Sequence, residues 1–295
     1  MSILKMAAPF LGILLDAYGV FWGGGTGVIP GSHETMAHLV ESGKIVGILS
    51  NSSQSGEKER LKFEKHGLIQ GTHYHFVITS GDIAKELFLS QALPFPLQHM
   101  KYWVLGTPHP KFSSPTALFE GTAFTEADSL KTADFIHVAI PHLRGEDQTD
   151  PSLFKTDVVE LVSSGLPMVC VNPDTFAHEG DPPRPVVRQG SLAALYADAG
   201  GTVFFIGKPS RLSFNTAFQA FQNFIPMAPH EILMVGDTPE TDIRGGKAYG
   251  MKTALITTIG IFAERKQALY TLPPSDQPDG TLEQFPDDIY ITSPF

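Results

Sequence analysis

The sequence is nearly devoid of cysteine, since Cys170 is the only one among 295 residues. A single thiol cannot form a disulfide within the chain, which excludes the disulfide-stapled classes of small secreted domain and favours a reducing compartment. Cys170 lies in an apolar run. We expect it to be a small buried side chain, because free cysteines are commonly buried.

An excess of positive charge is also lacking. Lys and Arg total 21 against 31 for Asp and Glu, which gives a formal net charge of −10. Without a basic stripe, nucleic-acid binding is not expected. The acidity does not exclude an anionic substrate, because a metal ion and a few local donors can reverse the potential within one cleft.

Long apolar runs are missing as well. None approaches the ~20 residues that a membrane span requires, so no membrane partner is expected. The run Ala7–Leu15 follows Lys5 and superficially resembles a secretion signal, but it stops at Asp16 and no small-residue cleavage site follows. We therefore expect a cytoplasmic protein.

Short apolar runs alternate with helical segments along most of the chain. Runs near 10–15, 45–49 and 76–79 form a β-α-β-α-β pattern, which predicts a parallel sheet with right-handed crossovers. From about residue 80 proline-rich connections appear. The sequence predicts an α/β protein with a discontinuous Rossmann-like domain and an inserted α/β domain. Their predicted bounds are 1–79 with 183–295, and 80–182, with an irregular linker over 176–188 and a last strand near 288–292.

Polar residues follow four of the predicted strands. In an open α/β sheet, ligands bind beyond the carboxyl ends of the strands. A carboxylate there can coordinate a metal or attack an electrophile. Each residue alone is a weak signal, because Asp favours turns and Lys favours the surface, but the set in this order is specific. Its members are Asp16, the run Ser50-Asn51-Ser52, Lys208, and Asp237 with Asp242.

This set resembles the four motifs of the haloacid dehalogenase-like superfamily of phosphohydrolases. Asp16 looks like the first motif, Ser50-Asn51 the second, Lys208 the third and the Asp237–Asp242 segment the fourth. The insertion between the second and third motifs is similar to the cap of the class IIA members, which include NagD-type, p-nitrophenylphosphatase and phosphoglycolate phosphatase enzymes. The resemblance implies a parallel-sheet core with a cap of the C2 type.

The resemblance also implies roles for the site residues. Asp16 would attack phosphorus and form an aspartyl-phosphate. Mg²⁺ would be held by Asp16, the backbone carbonyl of Tyr18 and Asp237, with Asp242 nearby. Lys208 would neutralise charge on the nucleophile and the phosphate. Within the Ser50-Asn51-Ser52 run, Ser50 and the Asn51 amide would donate to phosphate oxygens.

The cap would choose the substrate, a small phosphorylated metabolite. Asn172 and Asp174 could carry part of that choice. An ordinary strand-end turn at Asn172-Pro173-Asp174 is the alternative. The sequence is compatible with a homodimer and does not identify the phosphomonoester.

Tyr18 departs from the family pattern. Phosphatases of the superfamily usually carry a second Asp there as general acid and base. A phenol has a pKa of ~10 against ~4 for a carboxyl group, so Tyr18 is poorly suited to activating water. We expect a slow phosphatase. Two alternatives remain: a phosphometabolite-binding or regulatory protein without turnover, and a 2-haloacid dehalogenase, whose first motif also has Asp followed by Tyr but which needs no acidic metal pair.

Overall fold

The computed structural model describes residues 2–23, 26–180 and 184–287. The chain divides into two compact units. The first comprises residues up to 50, residues 56–78 and residues from 208 onward; the second comprises 51–55 and 79–207. The second unit is thus inserted into the chain of the first.

The strands follow in chain order with lengths between two and six residues. They are β1 (Gly12–Leu15), β2 (Ile45–Ser50), β3 (Phe76–Thr79), β4 (Lys101–Leu105), β5 (Thr125–Glu126), β6 (Phe135–Val138), β7 (Met168–Cys170), β8 (Phe176–Glu179), β9 (Arg184–Val187), β10 (Val203–Phe205), β11 (Ile232–Gly236), β12 (Lys252–Ile256) and β13 (Gly280–Leu282).

Nine α-helices are described in the same residues. They are α1 (Ile3–Ala7), α2 (Ser32–Glu41), α3 (Gly56–Lys65), α4 (Ser80–Ser90), α5 (Lys155–Leu161), α6 (Gln189–Asp198), α7 (Arg211–Gln222), α8 (Arg244–Tyr249) and α9 (Gly260–Glu264). Among the residues that the structure describes, no helix is both long enough and apolar enough to cross a bilayer.

The first unit is built on a sheet in the order β13-β12-β11-β1-β2-β3. Strand β1 lies near the middle and pairs in parallel with β11 and β2. Both faces of β1 are buried: Ile13 and Leu15 belong to one hydrophobic core, and Leu14 belongs to another. A strand that is covered on both faces has a continuous apolar sequence. The predicted Rossmann-like parallel sheet is confirmed.

The second unit has its own parallel sheet, in the order β10-β7-β6-β4-β5. Its core includes Ile136, Met168 and Tyr196. Cys170 is fully buried there, as expected, and burial raises the pKa of its thiol to about 12. This thiol is therefore a packing group at neutral pH.

Two details of the predicted organisation were wrong. The boundary at residue 183 lies too early, because β10 pairs with β7 in the second sheet and the chain returns to the first unit only at Lys208. A short apolar run shows that a strand is buried, but not which sheet buries it. The predicted linker over 176–188 instead contains the antiparallel pair β8 and β9. The strand expected near 288–292 lies outside the described residues.

Candidate active site

Asp16 stands directly beyond the carboxyl end of β1. Its amide N–H donates to the carbonyl of Val235 at 2.9 Å, which extends the β1–β11 pairing by one residue. The side chain is 9% exposed. Asp16 therefore begins the loop at the carboxyl end of the strands, which is the edge where ligands bind in open parallel sheets.

Asp237 and Asp242 enter from the adjacent strand, β11. Asp237 follows that strand directly, and a single π-helical turn, Pro239–Ile243, returns Asp242 toward it. The amide of Thr238 donates to the Asp242 carboxylate at 3.1 Å. A Cβ atom at Gly236 would lie 2.2 Å from that carboxylate, so only glycine fits there.

The three carboxylates form one cluster. Asp16, Asp237 and Asp242 each offer an oxygen within 4.8 Å of the others. Lys208 lies among them with its side chain 2% exposed, and its Nζ is 2.6 Å from Asp16 Oδ1 and 2.7 Å from Asp242 Oδ1. One ammonium group thus faces three buried carboxyl groups.

The cluster is short of positive charge. Burial raises the pKa of Asp237 well above its usual value, and Asp16 and Asp242 raise it further. Asp237 accepts hydrogen bonds from Thr238 Oγ1 at 2.9 Å and from the amide of Ile261 at 2.7 Å, which offset only part of this cost. A divalent cation would complete the charge balance, and all-carboxylate oxygen donors suit Mg²⁺ or Ca²⁺. The residues present therefore fit a hard metal ion.

Two glycines that sequence reasoning missed surround Asp237. A Cβ atom would lie 2.2 Å from Asp237 Oδ2 at Gly19 and 2.1 Å from it at Gly260. Both residues have a positive φ, +77° and +76°. Gly260 follows the carboxyl end of β12 in the same sheet, so a search of every predicted strand end could have found it.

The hydroxyl of Tyr18 is bonded to a residue of helix α3. Lys62 of α3 donates from Nζ to the Tyr18 hydroxyl at 2.7 Å. The same ammonium lies 4.9 Å from the centre of the Tyr18 ring and forms an ion pair with Glu59. The phenol oxygen is therefore engaged by a cation. Lys62 carries no sequence signal for this role, because it lies in a charged solvent-facing helix.

The second motif divides between the two units. Ser50 ends β2 in the first unit and is 3% exposed. Asn51 and Ser52 belong to the second unit, where Asn51 Nδ2 donates to Asp174 Oδ1 at 2.8 Å. Ser52 Oγ accepts from the amide of Gln54 at 3.2 Å, a local turn contact.

Asn172 and Asp174 form the turn that the sequence left open as an alternative. The Asp174 amide donates to Asn172 Oδ1 at 3.0 Å, which is an Asx turn. The Asp174 carboxylate meets Asn51. The structure therefore gathers the predicted residues into two groups. The first is Asp16, Lys208, Asp237 and Asp242; the second is Asn51, Asn172 and Asp174.

Two family models match separate parts of the chain. Residues 13–112 match the family model described as haloacid dehalogenase-like hydrolase, and residues 205–287 match the related HAD-hydrolase-like model. Together these ranges span more than half of the chain. They contain all the residues of the first group.

Relatives match over nearly the whole length. The sugar-phosphatase AraL of Bacillus subtilis is 28% identical over 94% of this chain and 91% of its own. Chronophin of Rattus norvegicus is 29% identical over 87% of this chain and 79% of its own length. A haloacid dehalogenase-like hydrolase from Brucella suis has the same fold. The TM-score is 0.78, the sequence identity is 21%, and the match covers 96% of this chain and 98% of the other. The chain is thus similar, in two separate segments and in its overall length, to haloacid dehalogenase-like hydrolases.

Proposed function

We propose that this hydrolase is a Mg²⁺-dependent phosphatase that acts on a small phosphomonoester of the sugar-phosphate or nucleotide class. The observation that carries the proposal is the cluster of three carboxylates with Lys208 bridging Asp16 and Asp242. The names of the relatives, a sugar phosphatase and chronophin, support the same reaction class.

Asp16 is the proposed nucleophile. Its carboxylate oxygen bonds to phosphorus while the ester P–O bond breaks; the leaving alkoxide takes a proton from solvent, and an aspartyl-phosphate remains. Water then attacks phosphorus and gives up a proton to solvent while the bond between phosphorus and the Asp16 oxygen breaks, which releases phosphate and restores the carboxylate. Lys208 holds Asp16 Oδ1 in place and offsets the charge of the incoming phosphate.

Asp16, Asp237 and Asp242 would hold the metal, with the Tyr18 carbonyl as a further proposed ligand. A bound Mg²⁺ would offset negative charge on the transferring phosphoryl group. Ser50 and the amide of Asn51 are the proposed donors to the phosphate oxygens. The second unit would supply selectivity for the leaving group.

Tyr18 makes the proposed enzyme slow. Its hydroxyl is already engaged by Lys62, and a phenol is a weak general base at neutral pH. The same feature favours a second candidate function, a binding or regulatory protein that keeps the site but does not turn over. That candidate predicts saturable Mg²⁺-dependent binding of phosphorylated ligands without hydrolysis.

Hydrolysis of p-nitrophenyl phosphate tests the proposal, because its leaving group needs little acid assistance. We expect phosphate release that requires Mg²⁺, is lost in EDTA and is abolished by Asp16→Asn. Glu41→Gln makes the same carboxyl-to-amide change at an exposed position of α2 and should keep full activity. Activity that survives Asp16→Asn, or chloride release from a 2-haloacid without metal, would contradict the proposal.

A further inference from the structure

Residues near three borders of the second unit, Asn51, Ser80 and Gly207, lie together with Asp174. The chain passes between the units at residues 50/51 and 207/208, among other places. Asn51 therefore directly follows Ser50, and Gly207 directly precedes Lys208. Asp174 lies far from both in sequence, in the loop after β7. We call Asn51, Ser80, Asp174 and Gly207 the Asn51 cluster.

The side chain of Asn51 is held at both ends. Its Nδ2 donates to Asp174 Oδ1 at 2.8 Å, and its Oδ1 accepts from Ser80 Oγ at 3.4 Å. Asn51 is 3% exposed. A buried amide with both ends bonded cannot rotate without losing a hydrogen bond.

Gly207 packs directly on this amide. A Cβ atom there would lie 2.7 Å from Asn51 Oδ1 and 2.5 Å from Ser80 Oγ, and the φ of Gly207 is +133°. Any other residue would displace both groups. The residue before Lys208 and the residue after Ser50 are therefore packed against each other.

Asp174 is itself rigid. Its amide donates to Asn172 Oδ1, and its carbonyl accepts from the amide of Gly190 at 3.1 Å. A Cβ atom at Gly190 would lie 2.0 Å from the carbonyl oxygen of Pro173. The carboxylate of Asp174 thus projects from a fixed turn toward Asn51.

We propose that Asp174 is a positioning residue, which holds Asn51 and thereby sets the backbone that presents Ser50 and Lys208 to the phosphate. This inference rests on the proposed function and assigns Asp174 a role other than choosing the leaving group. Asp174 contributes one charged hydrogen bond to Asn51, and such bonds are stronger than neutral ones.

An exchange of the two side chains tests the proposal. In Asn51→Asp, two carboxylates face each other, so kcat for p-nitrophenyl phosphate should fall by about tenfold or more. In Asp174→Asn, the bond becomes neutral and the loss should be smaller. The double variant reverses donor and acceptor and should recover to within about threefold of the wild type.

The readouts separate positioning from substrate contact and from general instability. The ratio of kcat/KM values for a sugar phosphate and a nucleotide should stay constant across the series, and Asp157→Asn, on the exposed face of α5, should change nothing. A double variant as impaired as the worse single variant would overturn the proposal. A changed substrate ratio in Asp174→Asn that the exchange does not restore would also overturn it.

Failure of the proposed function gives a different result. If the wild type hydrolyses no phosphomonoester, the same four proteins are compared by the Kd for inorganic phosphate in Mg²⁺, measured by calorimetry. Recovery of affinity in the double variant supports the positioning role without turnover. No recovery, or no phosphate binding by the wild type, would overturn it.

Discussion

Lys208 illustrates how much one side chain can decide at the residue scale. It contacts two of three buried carboxylates, and its own side chain is 2% exposed. Buried ion pairs contribute little net stability compared with apolar packing. Removal of one partner is nevertheless strongly destabilising, because it leaves the other charge buried and unpaired. The stability of the first unit and its proposed chemistry therefore depend on the same ammonium group.

Replacing Lys208 should damage both properties. Lys208→Met should abolish phosphatase activity and lower the free energy of unfolding in EDTA by about 3–5 kcal/mol, because three carboxylates would face one another. Added Mg²⁺ should recover part of the stability but not the activity. Lys252→Met is the matched control: its ion pair with Asp279 has a lysine 51% exposed, and its cost should be under about 1 kcal/mol. Equal losses for both variants in urea titrations would contradict this account.

Tyr18 sets the expected rate. Tyr18→Asp should raise kcat by about tenfold or more, because a carboxyl group can accept the proton of the attacking water and general acid–base catalysis is worth about 10²–10⁴-fold. Tyr18→Phe should leave kcat close to the wild-type value. Turnover at saturating p-nitrophenyl phosphate measures both. If Tyr18→Asp gives no gain, another group already moves the proton.

At the scale of the element, the loops after the strands carry the site. The loop after β12 supplies Gly260 and the Ile261 amide, which donates to Asp237. It contributes no charged side chain to the cluster, so a search for catalytic residue types passes over it. Its contribution is close backbone approach, which requires the absence of a Cβ atom.

Gly260→Ala separates this close approach from ordinary backbone strain. Both Gly260 and Gly71 have a positive φ, +76° and +86°, but a Cβ atom meets Asp237 at Gly260 and nothing within 4 Å at Gly71. Each substitution should cost about 1–2 kcal/mol through φ. Only Gly260→Ala should also weaken Mg²⁺ binding, by about tenfold or more. Calorimetric titration with Mg²⁺ measures this affinity. Equal affinities in the two variants would show that the close approach of Gly260 to Asp237 has no effect on metal binding.

At the scale of the whole molecule, the two units hold different ionisable groups in their interiors. The first unit buries the carboxylate cluster. The second buries His137 on β6, whose ring lies 5.1 Å from that of Phe119. Burial lowers the pKa of His137 to about 4. A hydrogen bond with the backbone of Pro115 has the opposite, smaller effect on this pKa. The two units should therefore respond differently to metal and to pH.

His137 should make the second unit acid-sensitive. The pKa of His137 is about 4 in the folded state and ~6.5 in the unfolded state. Above pH ~6.5 the imidazole is neutral in both states, so His137 causes no change of stability with pH in that range. As pH falls from 6.5 to 4, only the unfolded state gains the proton, which costs about 3 kcal/mol by pH 4.

The variant His137→Phe should remove this part of the pH dependence. The difference between wild type and variant in free energy of unfolding should change over pH 4–6.5 and stay level above it. The exposed His99, replaced in the same way, is the control. Parallel curves for wild type and His137→Phe in urea titrations would contradict the prediction.

The sequence by itself determined strands β1, β2 and β3 of the first sheet and the meeting of Asp16 with the Asp237–Asp242 segment, whereas it did not predict β13. The reason is local: continuous apolar runs mark strands buried on both faces, and parallel neighbours place their carboxyl ends at one edge. The order of motifs along the chain was sufficient to suggest the family. These features depend on periodicity and on residue type at strand ends.

Only the tertiary structure decided which partners those residues have. Lys208 follows a strand of the second sheet and still reaches Asp16, Asp174 bonds to Asn51, and Tyr18 bonds to Lys62. Each contact joins residues at least 44 positions apart. Hydrophobic periodicity reports burial but not the identity of a distant neighbour, because long-range pairing depends on how complete elements pack.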